Sequence, residues 1–452
     1  MLNVEAGSAI DGASHIHHLN LISCEDVESI FRAVDARKLR TVFSKRHLRY
    51  LDVSYTSIRA LPKSITNLYH LETLRLKNCN NCIQLPTLGC LPRLKILKIS
   101  GMGTVKCIGN EFYISNGKAG VLFPALKELT LSHMGALEEW MVPSGEGDQV
   151  FPCLEKLSIQ GCEKLKSIPI CGLSSLVDFV IQGCGELRYL SGEFHDFTSL
   201  QLLRIRGCEK LESIPSIQHC TSLVELKIQW CSELISIPGD FRELKYSLKK
   251  FMIDSCKLGA LPSGLQCCVS LEELWIWDCR ELIHINDLQE LSSLRRLWIY
   301  GCHKLINIDW HGLRQLRSLG RWRIFLQDLS IHFNTSGSLE FLGIYGWDKL
   351  KSVPHQLQHL TALKRLYIRG FRGEEFEEAL PEWLANLSSL QYLRIAECKN
   401  LKYLQSSRAI QRLSKLKELS IWRCPLLSEN YRKEKNGSFT MYEDVNKMYT
   451  YQ

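Results

Sequence analysis

LEKLSIQGCEKLKSIP, residues 154–169, carries the pattern that decides the fold. Alternation places Leu157 and Ile159 on one face of a short strand and Lys156, Ser158 and Gln160 on the other. The first face is expected in a core and the second in solvent. Cys162 follows the strand as a small polar group able to bond backbone amides, Leu165 and Ile168 turn inward on a returning arm, and Pro169 ends the arm without a donor. The same string recurs as LQLLRIRGCEKLESIP from Leu200, LVELKIQWCSELISIP from Leu223 and LEELWIWDCRELIHI from Leu271. Further copies start at Ile16, Leu48, Leu71, Leu94, Leu126, Leu176, Leu248, Leu294, Leu339, Leu363, Leu390 and Leu416.

Spacings of 22 to 28 residues dominate, a period that suits the leucine-rich repeat and excludes the longer helical repeats. The expected fold is α/β: a leucine-rich-repeat solenoid or horseshoe, with a continuous parallel β-sheet on the concave face and an irregular or short-helical convex side. One copy cannot shield its own leucines, so stacking on neighbours must supply stability, at roughly 1.5–3 kcal/mol per fully buried side chain. Residues 1–430 make one domain of about 16 such repeats, and residues 431–452 a loose C-terminal tail without the pattern. Two places depart from the period. DARKLRTVF starts like a repeat but HLRYLDV follows nine residues later, pointing to a deletion near 39–48. The stretch 310–338, with a partial copy at Leu326, is expected to be an irregular coil or bulging loop.

The 452 residues are 45% hydrophobic and 23% charged, enough for a large core and too apolar for a disordered chain. No run offers the ~20 apolar residues needed to span a bilayer, so membrane insertion is not expected. The N-terminal residues lack a basic region followed by an apolar one, so the chain is expected to stay in the cytoplasm with its 19 cysteines as thiols. A net charge of +8, spread evenly, gives no case for nucleic acid. Eleven cysteines occupy the post-strand position: Cys24, Cys79, Cys162, Cys184, Cys208, Cys231, Cys256, Cys279, Cys302, Cys398 and Cys424. They read as a structural ladder. Cys79-x-x-Cys82 and Cys267-Cys268 lack a second ligand pair, and His15, His17 and His18 flank a strand core, so no metal is expected. Glu374, Glu375, Glu377 and Glu378 form a solvated charge run, and no nucleophile or metalloprotease motif is present, so neither catalytic residues nor an enzyme is expected. The N-x-[ST] strings at Asn334, Asn386 and Asn436 matter only for a secreted chain.

HLRYLDVSYTSIRALPKSITNLYHLETLRLKNCNNCIQLPTLGCLPRLKILKISGMGTVKCIGNEFY, residues 47–113, resembles the leucine-rich-repeat region of plant disease-resistance proteins of the coiled-coil nucleotide-binding class. FPALKELTLSHMGALEEW, VFPCLEKLSIQGCEKLKSIP, LPEWLANLSSLQYLRI and LSKLKELSIWRCPLL are similar to the same family, so the resemblance spans about residues 1 to 430. It implies a role in innate immunity. In that family a coiled coil and a nucleotide-binding module precede the repeats; both are absent from this sequence. The nearest string to their phosphate loop, Gly117-Lys118-Ala119, lacks the upstream glycine and the Mg²⁺-binding hydroxyl, so no cofactor is expected and ADP or ATP belongs only to the missing domain.

The outward strand positions are the candidate binding residues. From Leu200 onward they are Arg204 and Arg206, Lys227 and Gln229, Trp275 and Trp277, then Arg296, Trp298 and Tyr300. Tyr345, Arg365, Tyr367, Arg369, Arg394 and Trp422 complete the protein-binding concave face. Trp275, Trp277, Trp298 and Tyr300 fall on consecutive copies and should form an exposed contiguous patch of the kind that anchors protein interfaces. Before Leu200 the face is polar or charged: Tyr50, Asp52, Thr73, Arg75, Lys77, Lys98, Glu128 and Lys156. By analogy with the family, early repeats restrain the nucleotide-binding module and later ones meet the pathogen ligand. The expected partners are proteins: an effector, a host target, or a nucleotide-binding domain in cis or in trans. The alternatives are a substrate receptor of a ubiquitin ligase and a non-signalling truncated paralogue.

Overall fold

The computed structural model describes residues 2–4, 18–21, 48–55, 60–61, 63–113, 120–143, 149–285, 288–305, 307–308, 316–322, 339–345, 355–370, 379–403 and 412–433. Expectations for the deletion near 39–48, Cys24, His15, His17, the acidic run at 374–378, Asn334 and Asn436 lie outside them. The chain divides into two compact units, Met1–Leu248 and Lys249–Gln452.

Among the described residues of the first unit ten strands of the main sheet pair in parallel, each with the next. They are β1 (Leu2–Val4), β2 (His18–Leu21), β3 (Tyr50–Asp52), β4 (Thr73–Lys77) and β5 (Ile96–Ser100). β6 (Glu128–Ser132), β7 (Lys156–Gln160), β8 (Asp178–Gln182), β9 (Leu202–Arg206) and β10 (Glu225–Gln229) follow. The register is unbroken where it can be read through leucines: Leu129, Leu157, Phe179, Leu203 and Leu226 stand side by side and are buried. That row, with Leu131, Ile159, Ile181, Ile205 and Ile228 two residues on, is the core wall that the alternation required.

From β4 to β10 each strand is followed by a residue in the left-handed region, which aims the chain across the end of the coil. Gly161 has φ +60°, and its N–H still donates to the Gln182 carbonyl at 2.7 Å, adding one ladder bond before the turn. Trp230 holds the same conformation with a side chain attached, at φ 55°. The cysteines come next. Their thiols donate to backbone carbonyls two residues back, as Cys279 does to Trp277 at 3.3 Å and Cys231 to Gln229 at 3.5 Å. A thiol at this position also accepts a backbone amide, as Cys424 does from the Cys398 N–H at 3.4 Å, the role expected of a small polar group there.

Return arms carry short 3-10 turns, among them Lys63–Asn67, Phe241–Leu244 and Leu265–Cys267 in the two units. Asp240 caps the second, accepting the Arg242 N–H at 3.0 Å. Two-residue and three-residue pairings, such as Ser167–Pro169 with Tyr189–Ser191, tie neighbouring arms together.

Among the described residues of the second unit eight strands form its main parallel sheet: β11 (Lys250–Asp254), β12 (Glu273–Trp277), β13 (Arg296–Tyr300), β14 (Ser318–Trp322), β15 (Phe341–Tyr345), β16 (Arg365–Arg369), β17 (Tyr392–Ala396) and β18 (Glu418–Trp422). Each pairs with the next. β14 lies inside the stretch expected to be irregular; it keeps register with β13 and β15, and the flanking 309–315 and 323–338, with Leu326, are outside the described residues. It escapes a pattern search because Gly320 and Arg321 stand where β13 has Trp298 and Ile299. The tail expected from residue 431 begins inside a helix, α1 (Pro425–Lys433), whose Leu427 is buried and whose Asn430 side chain donates to the Lys402 carbonyl at 3.2 Å.

Burial sorts the thiols. Cys153 and Cys171 are exposed, whereas Cys220 is enclosed and burial alone pushes its thiol up to about 12. Iodoacetamide is therefore expected to label Cys153 and Cys171 in the native protein and to reach Cys220 only after denaturation, as read by peptide mass spectrometry. Native labelling of Cys220 at the same rate would contradict the placement.

Candidate protein-recognition face

In the second unit the outward residues form three rows across the strands. The middle row runs Met252, Trp275, Trp298, Gly320, Gly343, Tyr367, Arg394 and Ser420. Two glycines in that row leave room above the sheet, and rings from both sides converge there. Trp275 and Trp298 stack at 5.3 Å with 12° between planes, and Trp298 continues onto Phe341 at 5.1 Å across the width of β14. Phe341 meets Tyr367 edge-on at 4.9 Å, and Trp277 leans on Trp275 at 5.5 Å. Such contacts add about 0.5–1.5 kcal/mol per pair beyond simple area burial.

The rings were expected to stand exposed; they are instead half-buried against one another, because stacking hides part of each face. Tyr300 is half-buried as well, beside Trp277 in the register. Tyr345 is placed by its strand between Trp322 and Arg369, and its side chain is outside the described residues. Phe341, absent from the expected face, occupies the first outward position of β15, level with Arg296 on β13 and Arg365 on β16. The glycines of S-L-G-R-W and F-L-G-I-Y were the available signal.

Arginines border the rings. The Arg296 guanidinium bonds Glu273 at 2.9 Å, and Glu273 also receives Lys250 at 3.6 Å and the Trp275 indole N–H at 3.3 Å. Toward the C-terminal end, Arg394 lies over Tyr367 at 5.1 Å and reaches Glu418 at 3.3 Å, while Arg369 lies over Trp422 at 5.6 Å and reaches Glu397 at 2.8 Å. Arg365 covers Tyr392 at 5.5 Å. A cation above a ring is held in place by the ring's quadrupole and by the loss of competing water.

The first unit's candidates are organised differently. Arg204 and Lys227 converge on one carboxylate, Glu225, at 2.8 and 3.1 Å, and Arg206 stacks on Trp230 at 4.3 Å. Gln229 closes β10 half-buried, its carbonyl accepting the Gly207 N–H at 2.9 Å. Trp230 was overlooked although Q-W-C replaces R-G-C there; it is 48% exposed and is the ring nearest this cationic group. Earlier in the unit Lys98 pairs with Glu128 at 2.7 Å and Arg75 lies over Tyr50 at 5.6 Å, so much of the charge is internally matched.

Burial pushes the Glu225 carboxyl up, but hydrogen bonds from Arg204 and Lys227 outweigh it and hold the group below the ordinary carboxylate range. A carboxyl more acidic folded than unfolded adds stability above its unfolded pKa and loses it as pH falls through the folded one. Glu225→Gln is therefore expected to be less stable than the parent at neutral pH. The gap should start to shrink near the ordinary glutamate value of about 4.3 and close below the depressed one, as measured by urea midpoints across that range.

A family model of R13L1/DRL21 leucine-rich repeats matches residues 6–102 and 323–424. The two matched segments make up less than half of the chain and are similar to the leucine-rich repeats of plant disease-resistance proteins. A disease-resistance protein of Arabidopsis thaliana shares 34% identity over 162 residues with this leucine-rich-repeat chain, covering 35% of the chain and 11% of the relative. The RPP13-like protein 1 of the same plant shares 30% over 159 residues, covering 34% and 15%. The disease-resistance protein RGA4 of Solanum bulbocastanum shares 26% over 192 residues, covering 42% and 19%. The matched stretches thus span under a fifth of the length of these relatives. A solved leucine-rich-repeat protein of Leptospira interrogans aligns with 85% of this chain and 98% of its own, at a TM-score of 0.42 and 17% identity.

Among the described residues of this repeat array no three His, Cys, Asp or Glu side chains form a metal-binding group, and no helix is long and apolar enough to cross a membrane. What the outward face offers is a set of fixed rings and guanidinium planes, the chemistry of protein recognition.

Proposed function

We propose that this chain is a cytoplasmic, non-enzymatic recognition module of plant defence that senses a pathogen effector or the host protein an effector modifies. Restraint of a nucleotide-binding domain, in cis or in trans, is a second use of the same kind of surface. The observation that carries the reading is the ring path of the second unit, Trp277, Trp275, Trp298, Phe341 and Tyr367, presented on the outward side of strands whose inward side is filled by leucine and isoleucine. Aromatic anchors flanked by arginine concentrate binding energy in protein interfaces, and the parallel strands hold them without a conformational search. The function needs no cofactor of its own.

The test is expression of the tagged full chain in leaf tissue challenged with pathogen, with and without Trp275→Ala and Trp298→Ala. Effector or host protein retained by the parent and lost by the double variant is the expected result. Equal retention by both would remove the face from the function.

A further inference from the structure

Trp230 stands where the three coils before it carry glycine. Gly161, Gly183 and Gly207 follow β7, β8 and β9 at φ +60°, +64° and +63°, and Trp230 follows β10 at φ 55°. A side chain in the left-handed region brings backbone strain that glycine avoids, and a bulky ring is uncommon there. Burial does not fully repay that strain, because the ring is 48% exposed. Strain kept at a half-exposed aromatic residue points to a role outside folding.

Arg206 lies over this ring at 4.3 Å from its centroid and is exposed. It differs from the cations beside it. Arg204 and Lys227 are held by Glu225 at 2.8 and 3.1 Å, and Lys156 by Asp178 at 3.9 Å. At the coil end Glu186 is taken by Lys210 at 2.7 Å. Among the described residues, which include all of 149–248, no carboxylate comes within 4 Å of Arg206 and its guanidinium donates no hydrogen bond. A guanidinium has five N–H donors in one plane, and a fork of two of them suits one carboxylate. The ring beneath holds the guanidinium in place, which lowers the entropy cost of binding.

We propose, building on the protein-recognition reading above, that Trp230 and Arg206 form a separate anchor point on the first unit, which takes an acidic side chain of a partner protein together with a large apolar side chain beside it. The carboxylate meets the Arg206 fork, and the apolar group covers the open part of the Trp230 ring. Guanidinium and ring are 4.3 Å apart, so acid and apolar group must lie within about two residues of each other on the partner backbone. Single-stranded nucleic acid also stacks on tryptophan, but it draws on a row of unmatched cations along its phosphates. Here Arg204, Lys227 and Lys156 are already matched.

The experiment depletes a random dodecapeptide display library on the full-length Trp230→Gly chain, pans the remainder on the parent, and measures an enriched peptide by fluorescence anisotropy. Enriched peptides are expected to carry Asp or Glu within about two residues of an aromatic or large aliphatic residue. Such a peptide should bind Trp230→Gly and Arg206→Gln about tenfold more weakly than the parent. Trp230→Gly should keep the parent's far-ultraviolet spectrum, because glycine is the residue that the preceding coils use at this turn. Changing the peptide's acid to its amide should weaken binding to the parent by about tenfold, a comparison independent of variant folding. No enrichment after depletion, enrichment without an acid, no effect of the amide change, or tighter binding of a labelled oligothymidylate each overturns the proposal. Trp275 and Trp298 are unchanged throughout, so failure here leaves the leaf-tissue result to decide the broader reading separately.

Discussion

Leu203→Ala is expected to lower the unfolding free energy of the first unit by about 2–5 kcal/mol. Leu203 is 0% exposed in β9, and its register neighbours Phe179 and Leu226 are equally enclosed, so no side chain can swing in to fill the space. In a stacked array each coil is stabilised only by the two beside it, so the loss falls on both contacts at once. Arg204, the next residue, provides the internal control. It points outward and pairs with Glu225, an exposed-side contact whose loss is expected to cost about 1 kcal/mol or less. Urea titration of the two variants checks both numbers; equal losses would mean that the strand's inward and outward faces are misassigned.

Trp275→Ala combined with Trp298→Ala is expected to weaken partner capture by about 2 kcal/mol or more, roughly 30-fold. Stability should fall as well, by less than for Leu203→Ala, since the rings are half-buried and stacked on one another instead of enclosed in the core. The far-ultraviolet spectrum should be unchanged, because the strand hydrogen bonds of β12 and β13 do not involve these side chains. Melting curves and binding isotherms on the same preparations separate the two effects. A melting loss as large as that of Leu203→Ala with capture intact would make the tryptophans packing residues and leave the face without its anchors.

How far the primary structure could be read differs between the two sides of each strand. Leu157 and Ile159, Leu203 and Ile205, and Leu274 and Ile276 are all buried as their alternation demanded. Arg204, Lys227, Trp275, Trp298, Tyr367 and Arg394 all face outward, as the same alternation demanded. The strand β14 was missed because its copy has lost the residues that define the pattern, although its backbone pairs as well as any other. Trp230 was missed because it sits in the turn, beyond the alternating strand positions, whereas Phe341 stands level with Arg296 and Arg365 and follows the same alternation that placed those two outward.

The repeat period and its two-residue alternation determined, without any coordinates, that the chain stacks parallel strands and which side chains fill the core. That is so because burial of leucine dominates the energy and depends only on which side of a strand a residue lies. Partnerships across strands were decided by the tertiary structure alone. Trp298 reaching over Gly320 to Phe341, Arg394 settling on Tyr367, and Arg204 and Lys227 sharing Glu225 join residues 21 or more positions apart or depend on a common neighbour. Side-chain stacking and charge pairing act over a few ångströms, so they appear only once the coils are laid beside one another.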